Sequence, residues 1–247
     1  MEKEEYQKHY ALEESFWWFR GRRDIILGVL ESFAITRSRQ KILDAGCGTG
    51  FNLNFFENFG NSFGCDFSED ALFFCRKRGL KKVARGDVQK LPFKSRSFSL
   101  VALLDVLYHK NVRDDTRVLQ EVHRVLKNGG YLLITDSAFN FLRSKHDLAF
   151  HTRERYTKKT LLQRLEQAGF GVLKMSYFNF FLFFFVFLSR RLTKILPGQN
   201  PIARSDLKAI DPRLNNWLYH ILKCEAVLTR YLSLPFGSSI LCFARKK

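Results

Sequence analysis

From Lys41 onward the chain alternates between two patterns of apolar and polar positions. Short apolar runs, "KILDAG", "SFGCD", "KVARGD", "FSLVALLDV" and "GGYLLITDS", read as strands. Between them "NLNFFENF", "SEDALFFCRKRG" and "DDTRVLQEVHRVLKNGG" read as helices, the last with Leu119, Val122, Val125 and Leu126 at helical spacing and Gly129 and Gly130 as its stop. Ser68, followed by Glu69 and Asp70, gives the second helix a capping side chain and acids matched to its dipole, and Gly79 closes it. A fourth helix is predicted over Lys158 to Ala168, with Leu161, Leu162 and Leu165 on one face, and the strand "FGVLKMSYF" follows. The last apolar run, "SSILCFARKK", would be the final strand. Strands alternating with helices predict an α/β fold with a doubly wound, mostly parallel sheet. More than fifty residues separate the last two strands. That length exceeds an ordinary connection and predicts an inserted subdomain.

The first strand runs into three alternating glycines, Gly46, Gly48 and Gly50. Glycine costs backbone entropy and packs nothing, so three within five residues predict a tight turn against a ligand. In an open parallel sheet that turn lies at the strands' carboxyl ends, where ligands bind. A dinucleotide fingerprint would need glycine at position 51 or 53, and these are Phe51 and Leu53. Carboxylates discriminate further: Asp44 precedes the loop, Asp66 ends the second strand and Asp87 follows the third. A carboxylate ending the second strand can accept both ribose hydroxyls, and one after the third can meet an exocyclic amine. This set suits a nucleoside that carries a cation better than a pyrophosphate.

The ordered set "LDAGCGTG", "GCDFS", "GDVQKLPF", "LLDVLYH" and "EVHRVLKNGGYLLI" resembles class I S-adenosylmethionine-dependent methyltransferases of the small-molecule type, over about residues 40–136. Ser99, Tyr108 and Asn128 stand where that family often has Asp, Glu and Pro. The resemblance implies a Rossmann-like, seven-stranded mixed sheet with S-adenosyl-L-methionine as cofactor. It implies that Gly46, Gly48 and Gly50 border the methionine moiety, Asp66 holds the ribose, Asp87 and Val88 meet the adenine, and Asp105 lies beside the methyl group. Asp44, Cys47 and Phe67 complete the implied cofactor set. Outside the core, "HYALEESFWWFRGRRDII" and "HDLAFHTRERYTKKTLLQRLEQAGF" resemble flanking segments of a bacterial methyltransferase subgroup. The expected organisation is an N-terminal helical lid over 1–40, a methyltransferase core over 41–178, a helical, Phe-rich basic insertion before the last strand over 179–236, and that strand over 237–247.

Composition adds partners and a place. The chain has 247 residues and a net charge of +17, and Lys and Arg outnumber Asp and Glu by 19 to 6 over residues 141–247. Such an excess implies an anionic partner. Nucleic acid is the unlikely one: the fourth strand ends in "LDVLYHK", without the Asn/Asp-Pro-Pro-aromatic motif of base-amine enzymes or the Pro-Cys of cytosine-carbon enzymes. The run Phe180–Leu188 is too short to cross a bilayer, which takes roughly 20 apolar residues. With Arg190, Arg191 and Lys194 after it, Phe180–Lys194 could instead lie in an anionic membrane surface. The five cysteines have no metal-ligand spacing, so no metal site is expected. "MEKEEYQKHY" mixes both charges where a secretory leader would be basic and then apolar, which predicts a cytoplasmic protein, peripheral on the membrane's inner face. The expected acceptor is a small or lipid-like molecule. Methyl transfer needs a base only when the acceptor must lose a proton; among His109, His146, His151 and Tyr156, the first candidate is His109 and the second Tyr156. Arg20, Arg22 or Arg23 would stand near an anionic group.

Overall fold

The computed structural model describes residues 3–35, 40–195 and 207–247. In chain order the elements are α1 (Lys3–Leu12), α2 (Trp17–Ser32), β1 (Lys41–Ala45), α3 (Phe51–Phe56), β2 (Asn61–Asp66), α4 (Glu69–Lys77), β3 (Val83–Arg85), β4 (Phe98–Leu104), α5 (Asp115–Val125), β5 (Leu126–Ser137), α6 (Lys145–Ala149), α7 (Lys158–Gln167), β6 (Phe170–Phe178), α8 (Phe183–Ile195), α9 (Pro212–Tyr231) and β7 (Ser239–Lys246). The side chains of His146 and Lys194, both singled out above, lie outside the described residues.

The seven strands form one sheet in the order β3-β2-β1-β4-β5-β7-β6. β1 to β5 are mutually parallel, whereas β7 runs antiparallel to both of its neighbours. The carboxyl ends of the parallel strands therefore share one edge with the end of β6 and the start of β7, where Ser239 pairs with both Ser137 and Phe178. Side chains alternate between faces. Leu43, Val101, Leu103 and Ile134 pack under Val118, Val122 and Val125 of α5 and Leu161 and Leu165 of α7. Ile42, Leu100, Leu133 and Phe243 pack under Ile25, Ile26, Val29 and Leu30 of α2.

Local chemistry sets several boundaries. The Ser68 hydroxyl accepts from the Ala71 N–H and starts α4, and Gly79 follows the helix at φ +75°. α5 ends at Val125, earlier than its sequence pattern predicts. Leu126 turns extended and pairs with Phe98, so the segment before Gly129 and Gly130 becomes strand.

Two expectations about the flanks change. Within the segment expected as a helical lid over 1–40, most of α2 instead forms a core layer, because Ile25, Ile26, Val29 and Leu30 make one continuous buried stripe. The insertion is equally tied to the body. α9 packs along α2, and a Cβ added at Gly21 would lie 2.4 Å from the Leu222 Cβ, so glycine is what lets the two helices meet. Glu225 of α9 is buried and accepts from the N–H groups of Phe180 (2.9 Å) and Phe181 (3.4 Å), just ahead of α8. Burial pushes its carboxyl up to about 7.

Candidate active site

A cavity of about 1610 Å³ opens along the carboxyl edge of the sheet. Small-molecule sites usually occupy ~300–1,000 Å³, so this volume has room for a cofactor and a second molecule together.

At one end the three alternating glycines explain themselves. All adopt positive φ: Gly46 at +84°, Gly48 at +55° and Gly50 at +86°. A Cβ at Gly46 would meet Val106 at 2.5 Å, whereas one at Gly48 would meet nothing within 4 Å, leaving that backbone against open space. Asp66 fixes the loop: its Oδ2 accepts from the Gly48 N–H (2.8 Å) and its Oδ1 from the Ser68 N–H (2.9 Å). Each oxygen keeps a second lone pair for a ligand. Burial raises the Asp66 carboxyl above its usual range. Asp87 accepts from the Gln89 N–H (2.8 Å).

Gly46, Cys47, Gly48, Asp66, Phe67, Asp87, Val88, Asp105 and His109 all line the cavity. Asp44 and Gly50 sit behind its wall. Asp44 is buried under the loop with neither carboxylate oxygen hydrogen-bonded, and burial pushes it up to about 7. Gly50 begins α3, where a Cβ would strike Leu80 and Cys75. Both therefore support the loop from behind instead of lining the cavity. Hydrogen bonding with Cys75, then burial, holds the Cys47 thiol well above its usual range, which removes it as a thiolate nucleophile.

The expectation for Tyr156 is corrected. Its ring is fully buried, and its hydroxyl donates to Asp115 Oδ2 (2.8 Å) and lies 3.1 Å from the Leu107 carbonyl, off the cavity wall. Arg153 and Arg164 also bond Asp115, so Tyr156 belongs to a structural cluster joining α5, α7 and the segment after β4. His109 is better placed. Its Nδ1 accepts from the Asn111 N–H (3.2 Å), and its ring centroid lies 5.8 Å from that of His151. Burial first, then nearby positive charge including His151 and Lys110, lowers it to about 4. It is therefore neutral at pH 7, with the proton on Nε2 and the basic lone pair on Nδ1 held by the Asn111 N–H.

Of the three α2 arginines expected near an anionic group, Arg22 is the one spent on a carboxylate of the protein itself. It is buried and paired with Asp105, which follows β4 at φ +60°. Arg23 bonds the carbonyls of Glu13 and Glu14, and Arg20 lies over the Tyr219 ring. A second contact leaves no local sign along the chain. Glu13, in the α1–α2 turn, is buried, accepts from Thr49 of the glycine loop and pairs with Arg78 at 2.6 Å. Arg78 Nε also donates to the Thr49 carbonyl at 3.1 Å, so the α1–α2 turn is latched to the loop.

The far end of the cavity changes character. Trp17, Trp18, Val186, Leu207, Ile210, Leu214 and Leu218 wall it. Asn179 and Ser238 form polar floor there, with the Asn179 Nδ2 donating to the Ser238 hydroxyl at 2.7 Å.

Residues 43–134 match a family model described as a methyltransferase domain. With the glycine loop, the strand-end carboxylates and the β3-β2-β1-β4-β5-β7-β6 sheet, this decides the identity of the core. The chain carries a class I methyltransferase domain. Domains of this family take their methyl group from S-adenosylmethionine. A putative methyltransferase of Encephalitozoon cuniculi is 37% identical over 94 residues, covering 38% of this chain and 43% of the relative. The fatty-acid O-methyltransferase of Mycolicibacterium smegmatis is 36% identical over 105 residues, covering 40% of this chain and 37% of the relative. The chain thus spans less than half the length of these two relatives. A putative sarcosine dimethylglycine methyltransferase from Galdieria sulphuraria superimposes with a TM-score of 0.58 at 18% identity, covering 92% of this chain and 86% of that one. That match extends the fold beyond the domain's own span to the elements flanking it.

The wall of the methyltransferase domain fits its cofactor by chemistry. Asp66 and Asp87 bring acceptors for hydroxyls and an amine, and the open backbone at Gly48 leaves space beside them.

Proposed function

We propose that this protein transfers a methyl group from S-adenosylmethionine to a small amphipathic acceptor with an apolar body, lipid-linked or free. The observation carrying the reading is the continuity of one cavity from the glycine loop to an apolar end walled by Trp17, Trp18, Val186, Ile210 and Leu214. A fatty-acid methyltransferase among the relatives supports an apolar acceptor.

When bound, the cofactor supplies an electrophilic methyl group on a sulfonium. The protein's part is positioning and desolvation. Asp66 would accept from the ribose hydroxyls, Asp87 and Val88 would border the adenine, and Gly46 and Gly48 would border the methionine. Asp105 and its partner Arg22 would border the reacting centre. An acceptor that must lose a proton would give it to His109 at Nδ1, in place of the Asn111 N–H that this nitrogen now holds.

Calorimetric titration tests the cofactor, with NADH as the control. Saturable binding of S-adenosylmethionine alone is the expected result; binding of NADH instead, or of neither, overturns the reading. A series of carboxylic or hydroxylated acceptors of increasing chain length then tests the acceptor, with KM expected to fall as the apolar body lengthens. A KM indifferent to length argues against the apolar end as its seat.

The pH profile tests His109. It is protonated only below about 4, so turnover on a proton-losing acceptor should be flat from pH 6 to 8 and decline as pH falls toward 4, where the base acquires a charge. His109→Gln should lower kcat by about 10² or more, within the usual range for general bases. A variant with unchanged kcat would remove His109 from proton transfer.

A further inference from the structure

We propose that the outer face of α8, with the exposed stripe of α9, seats on an anionic phospholipid surface, so that the apolar end of the cavity faces the bilayer. The docking surface is independent of methyl transfer; the entry of an acceptor from the membrane rests on the function proposed above.

α8 has two apolar faces. On the inner one Phe183 and Phe187 meet Phe141, and Val186 and Arg190 border the cavity. On the outer one Phe184, Phe185, Leu188 and Leu192 are 67, 72, 56 and 49% exposed. Their spacing spans about a quarter-turn of the helix, so they form one contiguous face. A helix apolar on all sides is normally covered on all sides, and among the described residues only one side of α8 is covered. α9 repeats the pattern. Leu214, Trp217, Leu228 and Tyr231 recur at helical spacing along an exposed stripe, with Trp217 60% exposed.

Charge selects the occupant. Residues 179–236 contain eight Lys and Arg against three acids. Of those acids Glu225 is buried and Asp211 caps α9. Arg191 lies over the Phe187 ring beside the outer face, and Lys208, Arg213 and Lys223 are exposed nearby in sequence on and before α9. Exposed phenylalanines among cations match the phosphate and acyl boundary of an anionic leaflet. A second copy of this chain would bring the same positive charge to the contact. No helix among the described residues is long and apolar enough to cross a membrane, so the insertion would lie along the surface.

The two faces connect the membrane to the cavity. Val186 and Arg190, on the inner side of α8, and Leu214 and Leu218 of α9 line its apolar end. An acceptor with an acyl or isoprenoid body could pass between these helices without its tail entering water.

The test is sedimentation of the full chain with vesicles of phosphatidylcholine alone or with one-third phosphatidylglycerol, at low and high salt, alongside the variants Phe184→Glu/Phe185→Glu and Trp217→Glu. The expected result is binding that needs the anionic lipid, weakens with salt and falls at least tenfold in the double variant. Thermal melting and S-adenosylmethionine binding should stay at wild-type values, because these side chains point away from core and cofactor. If the double variant does not fold, Trp217→Glu carries the test, with a severalfold loss expected. Absence of binding to the anionic vesicles, or equal binding by wild type and the folded variants, overturns the proposal. So does a wild-type dimer in solution that the variants abolish, which would assign the face to a second copy. Vesicle binding without S-adenosylmethionine binding would leave the docking surface standing and remove the methyltransferase reading.

Discussion

Asp66→Ala is expected to weaken S-adenosylmethionine binding by about 10² to 10⁴, the loss corresponding to two charge-assisted hydrogen bonds of ~1.5–3 kcal/mol each. The same substitution strips the Gly48 and Ser68 N–H groups of their acceptor, so the glycine loop loses its anchor along with the ligand. Asp66→Asn separates the two effects. It retains a carbonyl oxygen for one N–H but no charge, and should fall between wild type and Ala. Calorimetry reads affinity, and a thermal melt without ligand reads the loop. Affinity within threefold of wild type in a well-folded Asp66→Ala would remove this carboxylate from the cofactor site.

Asp115→Ala should produce the largest loss of stability. Its buried carboxylate is shared by Arg153, Arg164 and the Tyr156 hydroxyl, so deletion leaves the phenol without its acceptor and the two arginines with only the more exposed Glu154 as counter-charge. Breaking a buried pair from one side costs about 3–5 kcal/mol. For a chain of this size that lowers Tm by roughly 10 °C. Tyr156→Phe loses only the hydroxyl's bonds, should cost about 1–2 kcal/mol, and should keep its turnover per folded molecule. An unchanged melting curve with turnover lost in Tyr156→Phe would return the tyrosine to catalysis.

These two sites differ in how far the sequence revealed them. Asp66 ends an apolar run next to a glycine loop, and both features are local, so strand, turn and carboxylate could be read together. Tyr156 looked equally available because nothing in its neighbourhood reveals Asp115, which lies 41 residues earlier in the chain. The latch of Glu13 on Thr49 and Arg78 was hidden for the same reason: ion pairs between distant segments leave no periodic trace. The aromatic start of α2 read as a lid, but the stripe that follows it decided the packing of most of the helix. The insertion was legible as a length that no loop would need. Its attachment through Gly21 and Leu222 was not, since one helical glycine carries no address.

The anchoring of Glu225 has a mechanical consequence. Its carboxylate grips the chain immediately ahead of α8, while the other end of that helix reaches Ile195, 13 residues along. At 1.5 Å per residue this makes a lever about 20 Å long, held near one end. A tilt of roughly 10° about that fulcrum displaces the distal end by about 3 Å while the proximal end stays in register with the sheet. A push on the outer phenylalanines, close to that fulcrum, would therefore move the distal turn beyond Arg190 most, the rim beside Val186 little, and the glycine loop hardly at all.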